Sequence, residues 1–512
     1  MSKIAKTTLW LMIVTILSKF LGFGRELVLG AVYGATSYSD IYITSMNIPN
    51  ILFASIGTAL ATTFIPLYYE NKNIGGEKKS IQFTNNIFNI VLLIGLILSI
   101  LSFIFAKPLV NIFAMGFEEE KLSYAVKFTR IMIFGGLMVI LSNIIASFLQ
   151  TQNNFIISGL VGLPFNIIII VSIILSAKIN IYILPIGTLI AMTSQLLFQL
   201  PFAYKKGYRH SYILNIKDDY VKKMIWLVAP VFIGVAVNQI NAMIDRTLAS
   251  TLVEGSISAL NYANRLNGFV MGLFIVSIGA VVYPMLSKLS SDNDKEKFIN
   301  TVVSSVNSVI ILVIPISVGA IVLANPIVKI LFERGAFDGI ATSMTAIALV
   351  FYSIGMIGFG LRDILGKVFY SLQDTKTPMI NGTIAMGMNI VLNLILVRFM
   401  GHAGLAFATS ISSLICILLL FHSLKKKIGY FGQDKILKTT IKSLISTIVM
   451  GIVTYFTYSS LANILGRGFL QEAVSLFGSI AIGIIVYGIL VIVLKVDEIS
   501  IIINQIKNKA SA

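Results

Sequence analysis

Residues 81–106 read IQFTNNIFNIVLLIGLILSILSFIFA, a run of 26 residues without one ionisable side chain. A helix needs ~20 mostly apolar residues to cross the hydrocarbon layer of a bilayer. Comparable runs occur at 7–30, 41–69, 122–149, 156–177, 181–203, 221–248, 257–286, 299–323, 340–370, 378–397, 403–423, 437–462 and 472–494. The sequence therefore predicts an all-α membrane protein with about 14 transmembrane helices.

The composition excludes a soluble globular protein. Of 512 residues, 56% are hydrophobic and 12% are charged, whereas about 25% of residues in soluble domains are charged. A net charge of +17 can indicate a nucleic-acid partner. Here the basic residues are scattered through short loops between apolar runs, so we expect no nucleic-acid partner.

Lysine and arginine in the loops predict the orientation, because cytoplasmic loops carry an excess of both. With the N-terminus inside, the inner loops together hold most of these residues, and the outer loops hold few. The inner residues are Lys72, Lys78, Lys79, Lys205, Lys206, Arg209, Lys217, Lys222, Lys223, Lys288, Lys295, Lys297, Lys376, Lys425, Lys426, Lys427 and Lys435. Both termini are therefore predicted to be cytoplasmic.

The two halves of the chain resemble each other. A shift of 223 positions aligns Asn166 with Asn389, and a shift of 221 aligns Arg25 with Arg246. Six spans return a chain to its starting side, so the halves are predicted to be parallel repeats about an axis along the membrane normal. The predicted organisation is an N-terminal six-helix lobe at 1–215, a C-terminal six-helix lobe at 216–430, and two additional helices with a cytoplasmic tail at 431–512.

Ionisable side chains inside the predicted spans indicate a cavity, because each costs roughly 2.5–3.5 kcal/mol to insert and usually faces water or a partner. They cluster mainly in spans one, two, seven, eight and ten: Lys19, Arg25, Glu26, Asp40, Asp245, Arg246, Arg265, Arg362, Asp363 and Lys367, with Arg130 in span four. We expect one cationic cavity between the halves.

Arginine suits phosphate because its planar fork makes bidentate bonds. Arg25, Arg246 and Arg265 are therefore candidate ligands for a diphosphate, with Lys19 adding charge; the alternative is that these groups pair internally or reach to the interface.

The sequence contains no catalytic constellation, no Cys/His metal spacing and no nucleotide-binding loop. We therefore expect a transporter rather than an enzyme, driven by an ion gradient or the membrane potential.

Three motifs resemble one transporter family. They are SKFLGFGRE at 18–26, followed by Asp40 and NIPN at 47–50; GSISALNYANRL at 255–266; and QDTKTP at 373–378. Together they resemble the MurJ (MviN) lipid II flippases, a family with fourteen spans within the multidrug, oligosaccharidyl-lipid and polysaccharide exporter superfamily. The resemblance implies a flippase that moves the undecaprenyl-diphosphate-linked peptidoglycan precursor from the inner to the outer leaflet by alternating access.

The resemblance also implies site residues. Arg25, Asp40 and Arg265 match the family's functional charges, and Lys19 stands where the family usually has arginine. Asn47 and Phe53 are uncharged where relatives often carry basic residues, which would shift phosphate contacts towards Arg246 or Lys19. The last two helices would form a hydrophobic groove for the polyprenyl tail.

Some members of this family bind sodium, and Asp245, Asn389 and Asn393 form the candidate site. The two asparagines share a helix face because they are four residues apart; ordinary hydrogen bonding between helices is the alternative. No other cofactor is expected. The resemblance implies a monomeric, multi-pass protein of the bacterial cytoplasmic membrane whose partners are the lipid-linked precursor and membrane lipids.

Three rival functions remain open at this stage. One is export of another lipid-linked oligosaccharide. A cation-coupled drug antiporter would be expected to have twelve spans and an acidic cavity, and a membrane-embedded transferase would need a catalytic carboxylate or histidine within a long loop.

Overall fold

The computed structural model describes residues 3–292, 294–466, 468–496 and 498, and these residues form helices and connecting turns without a strand. The helices are α1 (Lys3–Tyr33), α2 (Ser37–Ile104), α3 (Ala106–Phe113), α4 (Glu119–Thr151), α5 (Phe155–Leu160), α6 (Gly162–Lys178), α7 (Ile183–Lys205), α8 (Asp219–Ser250), α9 (Ser256–Ser291), α10 (Lys295–Val322), α11 (Ala324–Phe332), α12 (Gly339–Ile354), α13 (Met356–Ser371), α14 (Lys376–Met400), α15 (His402–Ile428), α16 (Gln433–Leu465) and α17 (Phe469–Val493). The predicted all-α class is confirmed.

Among the described residues, ten helices are long and apolar enough to cross a membrane, or eleven if α12 and α13 form one bent span. One of the ten, α2, is 68 residues long and breaks at Gly76, where φ is +70°. Since ~20 residues suffice for one span, α2 has the length of two. The total of fourteen spans stays a prediction.

The bend between α12 and α13 is 43° and lies at Gly355. A Cβ on this glycine would lie 2.5 Å from the Cα of Ser410 in α15, so only glycine allows this approach. The Ser413 hydroxyl donates to the Gly355 carbonyl at 3.1 Å. Side chains of a neighbouring helix thus satisfy backbone groups at the bend, as a helix break inside a membrane requires.

The chain divides into two compact units. The first comprises described residues up to 258 together with 334–337, and the second comprises those of 259–333 and from 338 onward. In the first, α2 packs against α4 and α8, and α1 packs against α6. In the second, α10 packs against α13 and α16, and α14 packs against α15. The predicted lobe boundaries at 215 and 430 concern the internal repeat and stay predictions.

In the last two helices, small polar residues are buried and large apolar residues are exposed. Ser443 of α16 and Ser475 and Ser479 of α17 are fully buried, whereas Ile484 and Ile485 of α17 are exposed. Small and hydroxylated residues allow membrane helices to approach closely while aliphatic side chains face lipid. This distribution suits a bilayer rather than water as the surrounding solvent.

Candidate functional site

Arg25 lies in α1 and is largely buried, with 12% of its side chain exposed. Its Nη2 donates to Glu26 Oε1 at 2.7 Å, and its Nη1 donates to Asn166 Oδ1 at 3.2 Å. The guanidinium also lies 5.5 Å from the centroid of the Phe165 ring. The predicted phosphate ligand is therefore partly neutralised and held in place by α1 and α6. Lys19 lies in the same helix and is partly buried.

Asp40 lies near the start of α2 and is 2% exposed. Its Oδ1 accepts from the Ser258 backbone N–H at 2.9 Å and from the Ser258 hydroxyl at 2.6 Å. Its Oδ2 accepts from the Gly255 N–H at 2.9 Å and from Lys121 Nζ at 3.2 Å. A carboxylate has about four acceptor sites, and all four are used here.

This arrangement makes Asp40 a capping group for another helix. The first N–H groups of a helix have no partner within it, and a carboxylate satisfies them while favouring the positive end of the helix dipole. Asp40, in α2, accepts from N–H groups at the start of α9, although it lies 215 residues before Gly255 in the sequence. Its predicted role in binding substrate stays a prediction, since in this structure protein groups surround the carboxylate.

Four segments meet around Asp40, and we name residues 31–40, 112–121, 247–258 and 334–337 the outer seal. All four lie at or beside loops that the lysine and arginine distribution predicts to be outside. Backbone groups join them: Ala336 N–H donates to the Ala31 carbonyl at 2.9 Å. The Ser37 N–H donates to Glu254 Oε1 at 2.6 Å.

Four glycines allow the backbones of the outer seal to approach one another closely. A Cβ on Gly34 would lie 2.3 Å from the Ala336 carbonyl oxygen, and one on Gly255 would lie 2.2 Å from that of Ala35. A Cβ on Gly116 or on Gly335 would likewise lie 2.2 Å from a backbone oxygen. Contacts this short are essentially never made by a real Cβ. Any larger residue at these four positions would force the segments apart.

The remaining predicted site residues lie in both units. Asp245 and Arg246 are partly buried in α8, near its end, in the first unit. Arg265 is exposed on α9 in the second unit. Asn389 and Asn393 are buried in α14 of the second unit, where Asn393 Nδ2 donates to Asn389 Oδ1 at 3.1 Å.

The second unit also contains a charged cavity of about 410 Å³. Arg362, Asp363 and Lys367 of α13 line it together with Tyr283 of α9. Lys367 Nζ lies 2.5 Å from Asp363 Oδ2, one turn away on the same helix. The sequence predicted these charges inside a span, and the structure shows that two of them pair internally.

Comparisons with known proteins agree with the resemblance. A family model described as "Lipid II flippase MurJ" matches residues 29–476. A probable lipid II flippase MurJ of Vibrio cholerae serotype O1 is 31% identical over 501 residues, which cover 94% of each chain. The chain belongs to the lipid II flippase MurJ family. The predicted family is thus confirmed.

Solved structures support the same assignment. A lipid II flippase MurJ in an inward closed conformation aligns with a TM-score of 0.81 and 31% identity, over 96% of this chain and 99% of that chain. An inward-facing multidrug resistance MATE family transporter of the MOP superfamily aligns with a TM-score of 0.66 at 12% identity, which shows a shared fold only. The MurJ structure thus supports the family, and the MATE structure supports the fold.

Sequence reasoning missed most of the outer seal of this MurJ family member. In the sequence, Gly255 and Ser258 belong to the motif at 255–266, and Lys121 lies in a predicted outer loop. Gly34, Gly116 and Gly335 resembled ordinary loop glycines. The available signal was a glycine in each segment, but a sequence does not show which carbonyl each one faces.

Proposed function

We propose that the protein translocates lipid II, the undecaprenyl-diphosphate-linked peptidoglycan precursor, from the inner to the outer leaflet by alternating access. Membership of the MurJ family is the observation that carries this function. It makes the protein a transporter rather than an enzyme. It also places the protein in the bacterial inner membrane as a multi-pass protein.

The outer seal supports the alternating-access part of the proposal. Its contacts include hydrogen bonds and close backbone approaches, which can break and re-form as a set. Asp40 joins its own segment directly to two others, since it binds Lys121 and the start of α9. In this conformation the seal is closed, and release of the headgroup to the outside requires it to open.

Arg25, Arg265 and Lys19 are the proposed ligands of the substrate diphosphate, with Arg246 as a further cation. Arg25 supports this proposal because it is held rigidly while its fork carries five N–H donors. An incoming diphosphate would compete with Glu26 for the guanidinium. Substrate binding would therefore rearrange the Arg25–Glu26 pair.

An apolar groove in the second unit supports a site for the lipid tail. Its volume is about 680 Å³, and residues of α10, α12, α13, α15 and α16 line it. Ile314, Leu361, Phe421 and Leu444 are among them. Of the two C-terminal helices predicted to form the groove, α16 contributes to the lining of this cavity.

We also propose that sodium is the coupling ion and that it binds at Asp245, Asn389 and Asn393. Amide oxygens suit a hard cation, and the Thr409 hydroxyl lies 3.4 Å from Asn389 Nδ2. The described residues contain no group of three or more His, Cys, Asp or Glu side chains that could hold a metal. Cytoplasmic termini and a monomeric state are likewise proposed, on the loop charges and the resemblance respectively.

A flipping assay tests the function. Purified protein in proteoliposomes should move labelled lipid II across the bilayer, and Arg25→Ala and Arg265→Ala should each abolish this activity. Arg130→Ala is the matched control, because Arg130 lies in α4 and donates to the Phe103 carbonyl at 3.2 Å. Full activity of both site variants, at normal protein levels, would refute the cationic site.

The same assay separates the rival functions. Equal transport of an undecaprenyl-diphosphate sugar that lacks the peptide would favour export of another lipid-linked oligosaccharide. Cation-dependent efflux of a drug without movement of lipid II would favour the antiporter. Growth of flippase-depleted cells that express the protein is the corresponding measurement in vivo.

A further inference from the structure

The segment 206–218 connects α7 to α8 and is fastened to α2 by three asparagines. Asn85 Nδ2 donates to the Arg209 carbonyl at 2.7 Å and to the Ser211 hydroxyl at 2.9 Å. Asn89 Nδ2 donates to the Ser211 and Ile213 carbonyls at 2.8 and 2.9 Å. These bonds hold the non-helical segment against the helix.

The third asparagine completes the attachment. Asn86 Nδ2 donates to the Asn215 carbonyl at 2.9 Å, and Asn86 Oδ1 accepts from the Asn215 N–H at 2.8 Å. The three amides together make six hydrogen bonds along the segment. A backbone held in this way cannot rotate its outward side chains inward without losing several of these bonds.

The outward side chains are apolar. Tyr212 is 95% exposed, Leu214 is 54% exposed and Ile216 is 59% exposed, whereas Ile213 between the first two is partly buried. These three positions alternate along the segment and present large apolar groups away from the protein, with the exposed Asn215 between the last two. Water is a poor solvent for such a row.

The charge around the segment is strongly positive. Residues 205–223 contain six lysines and arginines and two aspartates, a net charge of +4. Both aspartates are engaged: Asp218 caps α8 by accepting from the Tyr220 N–H at 2.8 Å, and Asp219 pairs with Lys222 at 3.2 Å. The basic side chains are Lys205, Lys206, Arg209, Lys217, Lys222 and Lys223, all exposed.

An exposed tryptophan follows the segment on α8. Trp226 is 81% exposed and follows the segment by eight residues. Tryptophan and tyrosine concentrate at the membrane–water interface, and basic residues near it attract anionic headgroups. The lysines and arginines also place the segment on the cytoplasmic side by the positive-inside rule.

We propose that segment 206–218 is a membrane anchor, which inserts Tyr212, Leu214 and Ile216 into the interface of the cytoplasmic leaflet. The anionic headgroups of that leaflet bind the flanking lysines and arginines. Apolar side chains on one edge and cations on either side are the combination that interfacial segments use. The anchor fixes the connection between the two predicted repeats at the leaflet surface.

Fluorescence quenching tests the anchor without any substrate, so its outcome is independent of the flipping assay. Single cysteines replace Tyr212 and Leu214 in a Cys416→Ser background and carry an environment-sensitive dye. The matched control is Lys217→Cys, which is exposed in the same segment. The full-length protein is reconstituted in phosphatidylcholine vesicles with and without phosphatidylglycerol, and quenchers are placed at a shallow depth on the lipid.

We expect shallow lipid quenchers to reach positions 212 and 214 several-fold more effectively than position 217. The quenching should fall several-fold when phosphatidylglycerol is omitted, or when Lys206→Glu and Lys217→Glu are combined. Equal water exposure of all three positions in both vesicle types would overturn the proposal. Protection of 212 and 214 in native membranes but not in vesicles would also overturn it, since a protein would then be the occupant.

Discussion

Gly255→Ala should open the outer seal. A Cβ at this position would lie 2.2 Å from the Ala35 carbonyl oxygen, and real Cβ contacts essentially never fall below 3.0 Å. The two segments must therefore separate by at least ~0.8 Å. If the turn before α9 takes up this movement, the 2.9 Å bond from the Gly255 N–H to Asp40 lengthens to ~3.7 Å, past the limit of a hydrogen bond.

The size of the effect follows from that lost bond. A hydrogen bond to a charged group contributes about 1.5–3 kcal/mol. Because the clash with Ala35 exists only in the closed seal, this free energy should shift the equilibrium towards the open state. The shift corresponds to roughly 10- to 150-fold in the ratio of closed to open molecules. The backbone strain of alanine at φ +83° acts in both states if the turn keeps its conformation.

Distance measurements between spin labels provide the assay. Labels at Glu119→Cys and Val253→Cys, both exposed, report on two segments of the outer seal in a Cys416→Ser background. Gly255→Ala should increase the population at the longer distance. Gly429→Ala is the matched control, since its φ is +81° but a Cβ there would meet no atom within 4 Å.

Two results would refute this reasoning. One is a distance distribution for Gly255→Ala that matches the parent protein. The other is an equal shift in the Gly429→Ala control, because backbone strain would then explain the change without any clash. Thermal unfolding of both variants shows whether the fold itself is retained.

Three further outcomes are expected. Asp40→Asn should populate the open seal in the same spin-label assay, because an amide cannot accept at both positions; an unchanged distribution would contradict this role. The pKa of Asp374 lies at about 2, chiefly because Lys427 pairs with it, so this carboxylate stabilises the fold above its ordinary value of 3.8 and loses that effect as the pH falls to 2. Asp374→Asn should therefore lower the unfolding temperature near neutral pH, and its difference from the parent should shrink as the pH falls from 3.8 to 2; a constant difference would be inconsistent with the ion pair. Gly404→Ala, whose Cβ would lie 2.4 Å from a backbone oxygen of α14, should destabilise by about 1–3 kcal/mol, whereas Gly387→Ala in open space should be neutral or stabilising by up to about 1 kcal/mol. Unfolding in denaturant compares the two, and equal effects would count against the packing argument.

Much of the fold was predictable because it depends on local properties of the chain. Hydropathy along residues 81–106 identifies a span without knowledge of any neighbour, and the described part of α2 continues to Ile104. The sequence could not reveal the bend at Gly355, since it depends on the approach of Ser410 from another helix. The short helices α3 and α11 lie almost entirely in regions that hydropathy predicts to be loops.

The candidate site was predictable only in part. Arg25 is predictable as a site residue because an arginine inside a span is costly, and its partner Glu26 is its neighbour in the sequence. Its second partner, Asn166, lies 141 positions away, and the internal repeat pairs that asparagine with Asn389 rather than with Arg25. A sequence shows that a charge is buried, whereas the fold shows which groups neutralise it.

The sequence by itself determined the membrane class, the predicted orientation and the family, because each follows from residue order along the chain. Only the tertiary structure decided what Asp40 binds, which carbonyl Gly255 faces and how Asn85 and Asn89 hold segment 206–218. Each of these depends on backbone groups from distant segments that meet in space. A backbone N–H or carbonyl is the same chemical group at almost every residue, so residue order alone cannot select the partner.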